Sequence, residues 1–465
     1  MTFNSIQYFV LLGVVVALYW QLRHRAQNTL LLLASYVFYG AWDWRFLSLI
    51  WASTLLDHTI GRRLEVTDGE RARKALLWVS VTVNLSLLGV FKYFGFFSDG
   101  LESLLNGLGV GWAAPTVDIV LPVGISFYTF QTISYTFDVY RRAIPATRNL
   151  ADFALYVAFF PQLVAGPIER AAHFLPQITA ARPRPTREQL HSALGLLALG
   201  LFKKVVVADT LAITVDQAFG NPAGQSSLNL LFGVYAFAFQ IYADFSAYSD
   251  LARGSARLLG FDLLENFRQP YLSPNIQVFW RTWHISLSNW LRDYLYVPLG
   301  GNRAGAVRTS VNLALVMVLG GLWHGASWNF VIWGAIHGAL LMAHRAFGGR
   351  AATPTEVPAL RDLPRVVLTF HAVCFAWIFF RADTFGGAVD YLQGLATGGL
   401  GQVNLVEHLW LGVAMIAIDV LQRRRREVFF LDWAPHWRGV AFGAAAVGVL
   451  VFSGAPAVEF VYFQF

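Results

Sequence analysis

Long apolar runs recur along the whole chain, broken by short clusters of arginine. The runs fall at about 6–20, 28–41, 45–60, 75–97, 117–138, 192–216, 227–250, 309–323, 327–347, 364–380, 406–421 and 438–453. A helix needs roughly 20 apolar residues to cross a bilayer, and only a segment that satisfies its own backbone hydrogen bonds survives there. The pattern predicts an all-α polytopic membrane protein with about 11–12 transmembrane helices. Composition agrees, because only 14% of residues are charged, against about 25% in soluble domains.

The basic clusters supply an orientation. They are Arg23/Arg25, Arg62/Arg63/Arg71/Arg73/Lys74, Arg141/Arg142, Arg182/Arg184/Arg187, Arg253/Arg257, Arg303/Arg308, Arg345/Arg350 and Arg423 to Arg426. The connections between them, such as 98–116 and 219–226, carry no Lys or Arg. Alternation of this kind is what the positive-inside rule produces, and it places the N-terminus outside. The net charge of +7 thus belongs to cytoplasmic loops facing a lipid bilayer, and no nucleic-acid partner is expected. The run Phe9 to Trp20 lacks the basic start and small-residue cleavage site of a signal peptide and reads as a retained span. A single cysteine, Cys374, excludes a disulfide framework or a cysteine-based metal site.

Two regions break the pattern. Residues 150–190 begin and end beside basic clusters, and Phe159 to Pro167 is apolar but punctuated by Pro161 and Pro167. A re-entrant or in-plane segment fits it better than a straight span. Residues 262–308 are aromatic, polar and interrupted, and such a stretch persists at membrane depth only when buried in protein or lining water. With no repeat, the chain reads as one domain, 1–465: peripheral spans at about 1–110, a core at about 117–350 and closing spans at about 364–465.

The second region holds Trp280, Arg281, Trp283, His284, Ser286, Ser288, Asn289, Trp290, Arg292 and Asp293 within fourteen positions. Helical spacing puts Arg281 and His284 on one face, and His284 with Ser288 and Leu291. Pro298 and Gly300-Gly301 stop the helix. Such a helix presents imidazole, hydroxyl and amide groups together, or it anchors at the headgroups through Trp and Arg.

A second histidine lies between two apolar runs, in Gly320-Gly321-Leu322-Trp323-His324-Gly325-Ala326-Ser327-Trp328. Ionisable groups inside membrane segments are rare and face cavities or pathways, and neutral imidazole is suited to accept a proton near pH 7. The competing reading is a helical hairpin turn with an inert, hydrogen-bonded His324. Asp244, with Ser246 and Asp250, lines an aqueous path or pairs with a cation such as Arg253. His337 and His344 share a face without further ligands at metal-binding spacing, so no metal is expected. His371 reads as a core histidine. No Walker sequence, strand-embedded GxGxxG or GxSxG elbow occurs, which removes support for ATP-driven transport and serine-hydrolase chemistry.

The chain resembles the membrane-bound O-acyltransferase family. The matching text is Leu121-Pro122-Val123-Gly124-Ile125-Ser126 to Gln131, Phe160-Pro161-Gln162 to Pro167, Phe245-Ser246 to Arg253-Gly254, Asn266-Phe267 and Pro270-Tyr271. Trp280 to Tyr294, Pro298 to Arg303, Trp323 to Trp328 and the closing Tyr462 to Phe465 continue it in order.

The resemblance implies a funnel-like helical fold, with re-entrant or in-plane helices around a central tunnel, in the bacterial inner membrane. It matches His324 to the family's catalytic histidine and His284 to a second site residue. It implies acetyl transfer from cytoplasmic acetyl-CoA, a substrate rather than a bound cofactor, to hydroxyls of an extracytoplasmic, alginate-like polysaccharide. A periplasmic or membrane-anchored SGNH or esterase-like acetyltransferase partner completes that expectation. Alternatives are peptidoglycan O-acetylation, D-alanyl-type transfer from a carrier-protein thioester and, in another class, a polysaccharide or lipid transporter.

Chemically, His324 is the expected general base, with His284 positioning or stabilising an oxyanion. Trp283, Asn289, Trp323, Ser327, Arg281 and Asp244 are the expected substrate-binding residues, and Arg281, Arg292 and Arg303 the expected phosphate contacts.

Overall fold

The computed structural model describes residues 2–113, 115, 119–164, 166–303, 305–348, 358–401, 408–424, 427–453 and 460–461, and among them it is helical with no strand. The expectations for Arg350, Arg425, Arg426 and the closing Tyr462 to Phe465 lie outside these residues. The chain divides into two compact units. One comprises 1–184 with 259–263 and 325–327; the other comprises 185–258, 264–324 and 328–465.

The first unit contains α1 (Ile6–Tyr19), α2 (His24–Asp43), α3 (Leu47–Val66), α4 (Glu70–Leu88), α5 (Phe94–Gly107), α6 (Ile125–Tyr140), α7 (Leu150–Ala158) and α8 (Ala171–Thr179). Ser5 caps α1 by accepting from the Tyr8 amide, and Asn149 caps α7 by accepting from Ala151. A π-helical turn at Gly89–Tyr93 joins α4 to α5 in one rod, Glu70–Gly107, of 38 residues. Helices α3, α4 and α6 pack around the fully buried Asp57. Its carboxylate accepts from Ser80, from Thr136 at 2.8 Å and from Asn84 at 2.8 Å. A carboxylate in an apolar interior needs such a donor shell.

The punctuated segment around Pro161 does not cross. Its α7 has 9 residues, about 14 Å of helix against a hydrocarbon core of about 30 Å. It turns through Phe159–Val164, all buried, and after a short connection continues as α8, which buries Ala171, Phe174, Leu175 and Ile178.

The second unit contains α9 (Arg187–Leu201), α10 (Asp209–Gly220), α11 (Ser227–Leu258), α12 (Ile276–Thr282), α13 (Ile285–Leu291), α14 (Gly305–His324) and α15 (Trp328–Ala346). It closes with α16 (Leu363–Arg381), α17 (Phe385–Thr397), α18 (Trp410–Arg424) and α19 (Pro435–Phe452). Its axis is α11, which packs against α9, α10, α16, α17 and α18. Small residues at Gly233, Ala236, Ala243, Ala247, Ala252 and Gly254, all buried in α11, let neighbours come close, the usual basis of helix packing in lipid.

Between α9 and α10 a π-helical stretch, Phe202–Ala208, buries two consecutive lysines. Lys203 pairs with Asp250 at 2.8 Å, and Lys204 with Asp209 at 2.8 Å and Asp244 at 3.0 Å.

Among the described residues five helices are long and apolar enough to cross a membrane: Glu70–Gly107, Ser227–Leu258, Gly305–His324, Leu360–Arg381 and Pro435–Phe452. The chain is thus a multi-pass membrane protein. Other expected spans are helical but shorter, such as the apolar α1 with 14 residues, or carry several charges, such as α3 with Asp57, Arg62, Arg63 and Glu65.

Candidate active site

Residues 264–303 of the second unit form a short-helix region rather than a span, with α12 and α13 meeting at Trp283-His284. Here the backbone makes a sharp corner: His284 adopts φ 42°, ψ 56° and stands immediately before α13. A non-glycine residue in the left-handed region costs on the order of 1 kcal/mol or more and persists only where its surroundings enforce it. The enforcing residue is Asn266. Its Oδ1 lies 3.1 Å from His284 Nδ1 and accepts from the Ser286 amide at 3.2 Å and the Ser286 hydroxyl at 3.0 Å. The Ile285 amide bonds the Asn266 carbonyl at 2.9 Å. Both residues are buried, with His284 1% exposed. His284 lies outside the spanning helices, and burial pushes its imidazole down to about 3, keeping the ring neutral.

His324 is the last residue of α14, and α15 begins four residues later. The hairpin is tight because glycine faces backbone on both sides. A Cβ on Gly321 would collide with the Phe330 carbonyl, and one on Gly334 with the Met317 carbonyl. No other residue permits that approach. It leaves His324 only 4% exposed, with Trp323, Trp333 and Phe380 ring centres at 5.0, 5.1 and 5.5 Å.

These two elements bring the histidines together: the ring centres of His284 and His324 are 6.3 Å apart. Trp323 contacts both, 6.0 Å from His284. An imidazole nitrogen reaches a hydrogen-bonded oxygen about 4 Å from the ring centre, so the pair can act on the same or adjacent substrate atoms. Forty positions apart in sequence, they are brought into neighbouring positions by these two elements.

Beside this pair lies a cavity of about 700 Å³. Trp280, Arg281, Asn289, Arg292, His344 and Arg345 contribute to its wall, as does Ile285, the neighbour of His284. Neither His284 nor His324 lines it. Trp280 links it to them, because its ring lies 5.7 Å from Trp333, which flanks His324. The Trp280 indole N–H donates to His337 Nδ1 at 3.3 Å, and His337 sits fully buried between Trp280 and Trp333.

The other expected residues divide. Arg281 and Asn289 face the cavity. Arg292 also lines it and is paired with Asp293 at 2.7 Å. Arg303 is exposed and not in the wall; Arg345, which the sequence placed only in a basic loop cluster, is. Trp283 is fully buried and stacks on Phe279 at 5.6 Å, with Trp377 at 5.2 Å. It supports the site from behind. Asp244 is taken up by Lys204 and by the Val461 amide at 2.8 Å. Ser327, half-buried, stands in the connection between α14 and α15, which groups with the first unit. Among the described residues no group of three or more His, Cys, Asp or Glu side chains is placed to hold a metal ion.

Comparison with known proteins matches residues 31–381 to the membrane-bound O-acyltransferase family. The chain is 43% identical over 410 residues to the probable alginate O-acetylase AlgI of Pseudomonas aeruginosa, covering 87% of this chain and 76% of that one. It is 35% identical over 430 residues to the peptidoglycan O-acetyltransferase of Helicobacter pylori, covering 85% and 79%. The teichoic acid D-alanyltransferase of Bacillus subtilis is 25% identical over 292 residues, covering 58% and 71%. A buried histidine pair in a polytopic helical protein, with a family match across three quarters of the chain, identifies the protein as an O-acyltransferase of the membrane-bound O-acyltransferase family.

Proposed function

We propose that the protein moves an acetyl group from cytoplasmic acetyl-CoA to hydroxyls of an extracytoplasmic, alginate-like polysaccharide in the bacterial inner membrane, with His324 as general base. The observation that carries this reading is the 6.3 Å pairing of two buried imidazoles next to an arginine-lined cavity. His324 takes the proton of the attacking hydroxyl, whose oxygen adds to the thioester carbonyl. The tetrahedral oxyanion collapses, the C–S bond breaks, and the departing thiolate takes the proton back from His324. Trp323, beside both imidazoles, and Asn289, in the cavity wall, are neutral side chains able to donate to the oxyanion. Arg281, Arg292 and Arg345 suit the phosphates of the donor. Enclosure by Trp333, Phe380 and Trp377 keeps water from competing for the thioester.

The name of the Pseudomonas relative favours alginate as acceptor, and a periplasmic or membrane-anchored SGNH or esterase-like partner is the proposed recipient for the final transfer. The Helicobacter and Bacillus relatives make peptidoglycan, and a carrier-protein thioester as donor, the alternatives within the same chemistry. The test is reconstitution with radiolabelled acetyl-CoA, comparing wild type with His324→Ala. Transfer is expected to fall at least 100-fold in the variant. Transfer that survives removes His324 from the mechanism, and export of unacetylated glycan favours transport.

A further inference from the structure

We infer that Asn266 is a positioning residue of this reaction: it fixes His284 as the Nδ1–H tautomer, so that Nε2 meets the substrate as a lone pair and not as a donor. The assignment deepens the functional reading above and rests on it for the consequence to catalysis, though not for the tautomer itself.

The argument begins with which way the Asn266 amide points. Its side-chain atom near Ser286 faces a backbone amide at 3.2 Å, and a backbone N–H can only donate. That atom is therefore the carbonyl oxygen. The same oxygen lies 3.1 Å from His284 Nδ1. An amide oxygen cannot donate, so Nδ1 must carry the hydrogen. His284 is 1% exposed, and a buried imidazole holds one proton unless a partner charge keeps the second. With that proton on Nδ1, the lone pair is on Nε2, on the far side of the ring from Asn266.

Three further observations show that the arrangement is built for the ring. Asn266 is itself 1% exposed, its Nδ2 is steadied by the Ser249 hydroxyl at 3.5 Å, and its backbone carbonyl ties down the amide of Ile285. His284 accepts an unfavourable φ of 42° to meet it. The Phe245 ring stands edge-on to the imidazole at 4.7 Å and limits its rotation.

The consequence concerns the acceptor. In this tautomer His284 cannot stabilise an oxyanion; it can only receive a hydrogen bond. With His324 removing the proton of the reacting hydroxyl, His284 Nε2 suits a second hydroxyl on the adjacent carbon. The pair would then select acceptors with neighbouring hydroxyls, as in a sugar ring, over simple alcohols.

The experiment uses full-length protein in lipid nanodiscs labelled with 15N-histidine, with His284→Gln to assign the signal. The expected spectrum has His284 protonated at Nδ1 and bare at Nε2, and the Nε2–H tautomer would overturn the inference. In parallel, Asn266→Leu and Asn266→Asp are assayed for acetyl transfer from acetyl-CoA to an oligosaccharide, after size-exclusion chromatography confirms folded protein. Asn266→Leu is expected to lower kcat on the order of 10- to 100-fold, with the KM for acetyl-CoA within about twofold. Asn266→Asp, which keeps the accepting oxygen, should restore most of the loss. Full kcat in Asn266→Leu overturns the inference. Absence of transfer in wild type overturns only the functional reading, because the spectrum still decides the tautomer.

Discussion

Replacing Gly321 with alanine tests whether the glycine seam between α14 and α15 is what places His324. The added Cβ would overlap the Phe330 carbonyl, which is backbone and cannot rotate away. Restoring an ordinary carbon–oxygen contact requires the two helices to part by about 1 Å at that level. Overpacking of this kind costs roughly 1–3 kcal/mol. His324 is one turn along the same helix, and a 1 Å displacement of a catalytic group can cost on the order of 100-fold in rate. Gly338 is the control on the same interface, because a Cβ there would come no closer than 3.3 Å, to Ala314 Cα, a tight contact that a few tenths of an ångström relieve. The assay is acetyl transfer together with thermal unfolding in nanodiscs. Gly321→Ala should lose about 100-fold in kcat and unfold earlier, while Gly338→Ala stays within about threefold. A Gly321→Ala protein with wild-type kcat would refute the idea that this close approach sets the site.

Other outcomes follow from the same structure. Lys204→Met should be destabilised by about 3–5 kcal/mol, because it strands Asp209 and Asp244 without their cation; adding Asp244→Asn should recover part of the loss in thermal unfolding. Arg281→Ala and Arg345→Ala should each raise the KM for acetyl-CoA about tenfold with kcat little changed, the effect shrinking in high salt. The hydrogen bond that the His173 imidazole donates to the Glu169 carboxylate raises it above its ordinary 6.5. Its stabilisation is therefore complete below pH 6.5 and fades as pH rises through the folded value. Half exposure keeps it to a few tenths of a kcal/mol, so His173→Ala should flatten only the neutral-to-alkaline part of the stability curve.

Much of the site was legible because histidine is conspicuous between apolar runs. His284 and His324 stood out for that reason, and Arg281 and Asn289 share the short-helix region with His284. Asn266 stood in the family-matching text without a role, since a lone amide in a non-periodic stretch carries no local signal of one; only the fold closes the 18-residue gap to His284. Arg345 was missed for a similar reason. As part of a basic cluster it read as a loop charge, yet α15 folds back along α14 and carries it into the cavity wall. Lys203 and Lys204 were swallowed by the apolar run at 192–216, because hydropathy averages over the acids that neutralise them from α10 and α11. Of the roughly 11–12 apolar runs, five coincide among the described residues with helices long and apolar enough to cross, and periodicity does not separate a buried helix from a lipid-facing one.

The buried pairs between the lysines that precede α10 and the aspartates of α10 and α11 bear on how this protein is made. A lone Lys or Asp at the centre of a membrane helix costs about 2.5–3.5 kcal/mol on insertion. Asp244 and Asp250 lie on one helix, and Lys203, Lys204 and Asp209 on the stretch before it. Inserted singly, each segment carries buried charges whose partners lie on the other. Inserting the two segments together pairs Lys203 with Asp250 and Lys204 with Asp244 and removes that cost, so joint insertion is the cheaper route.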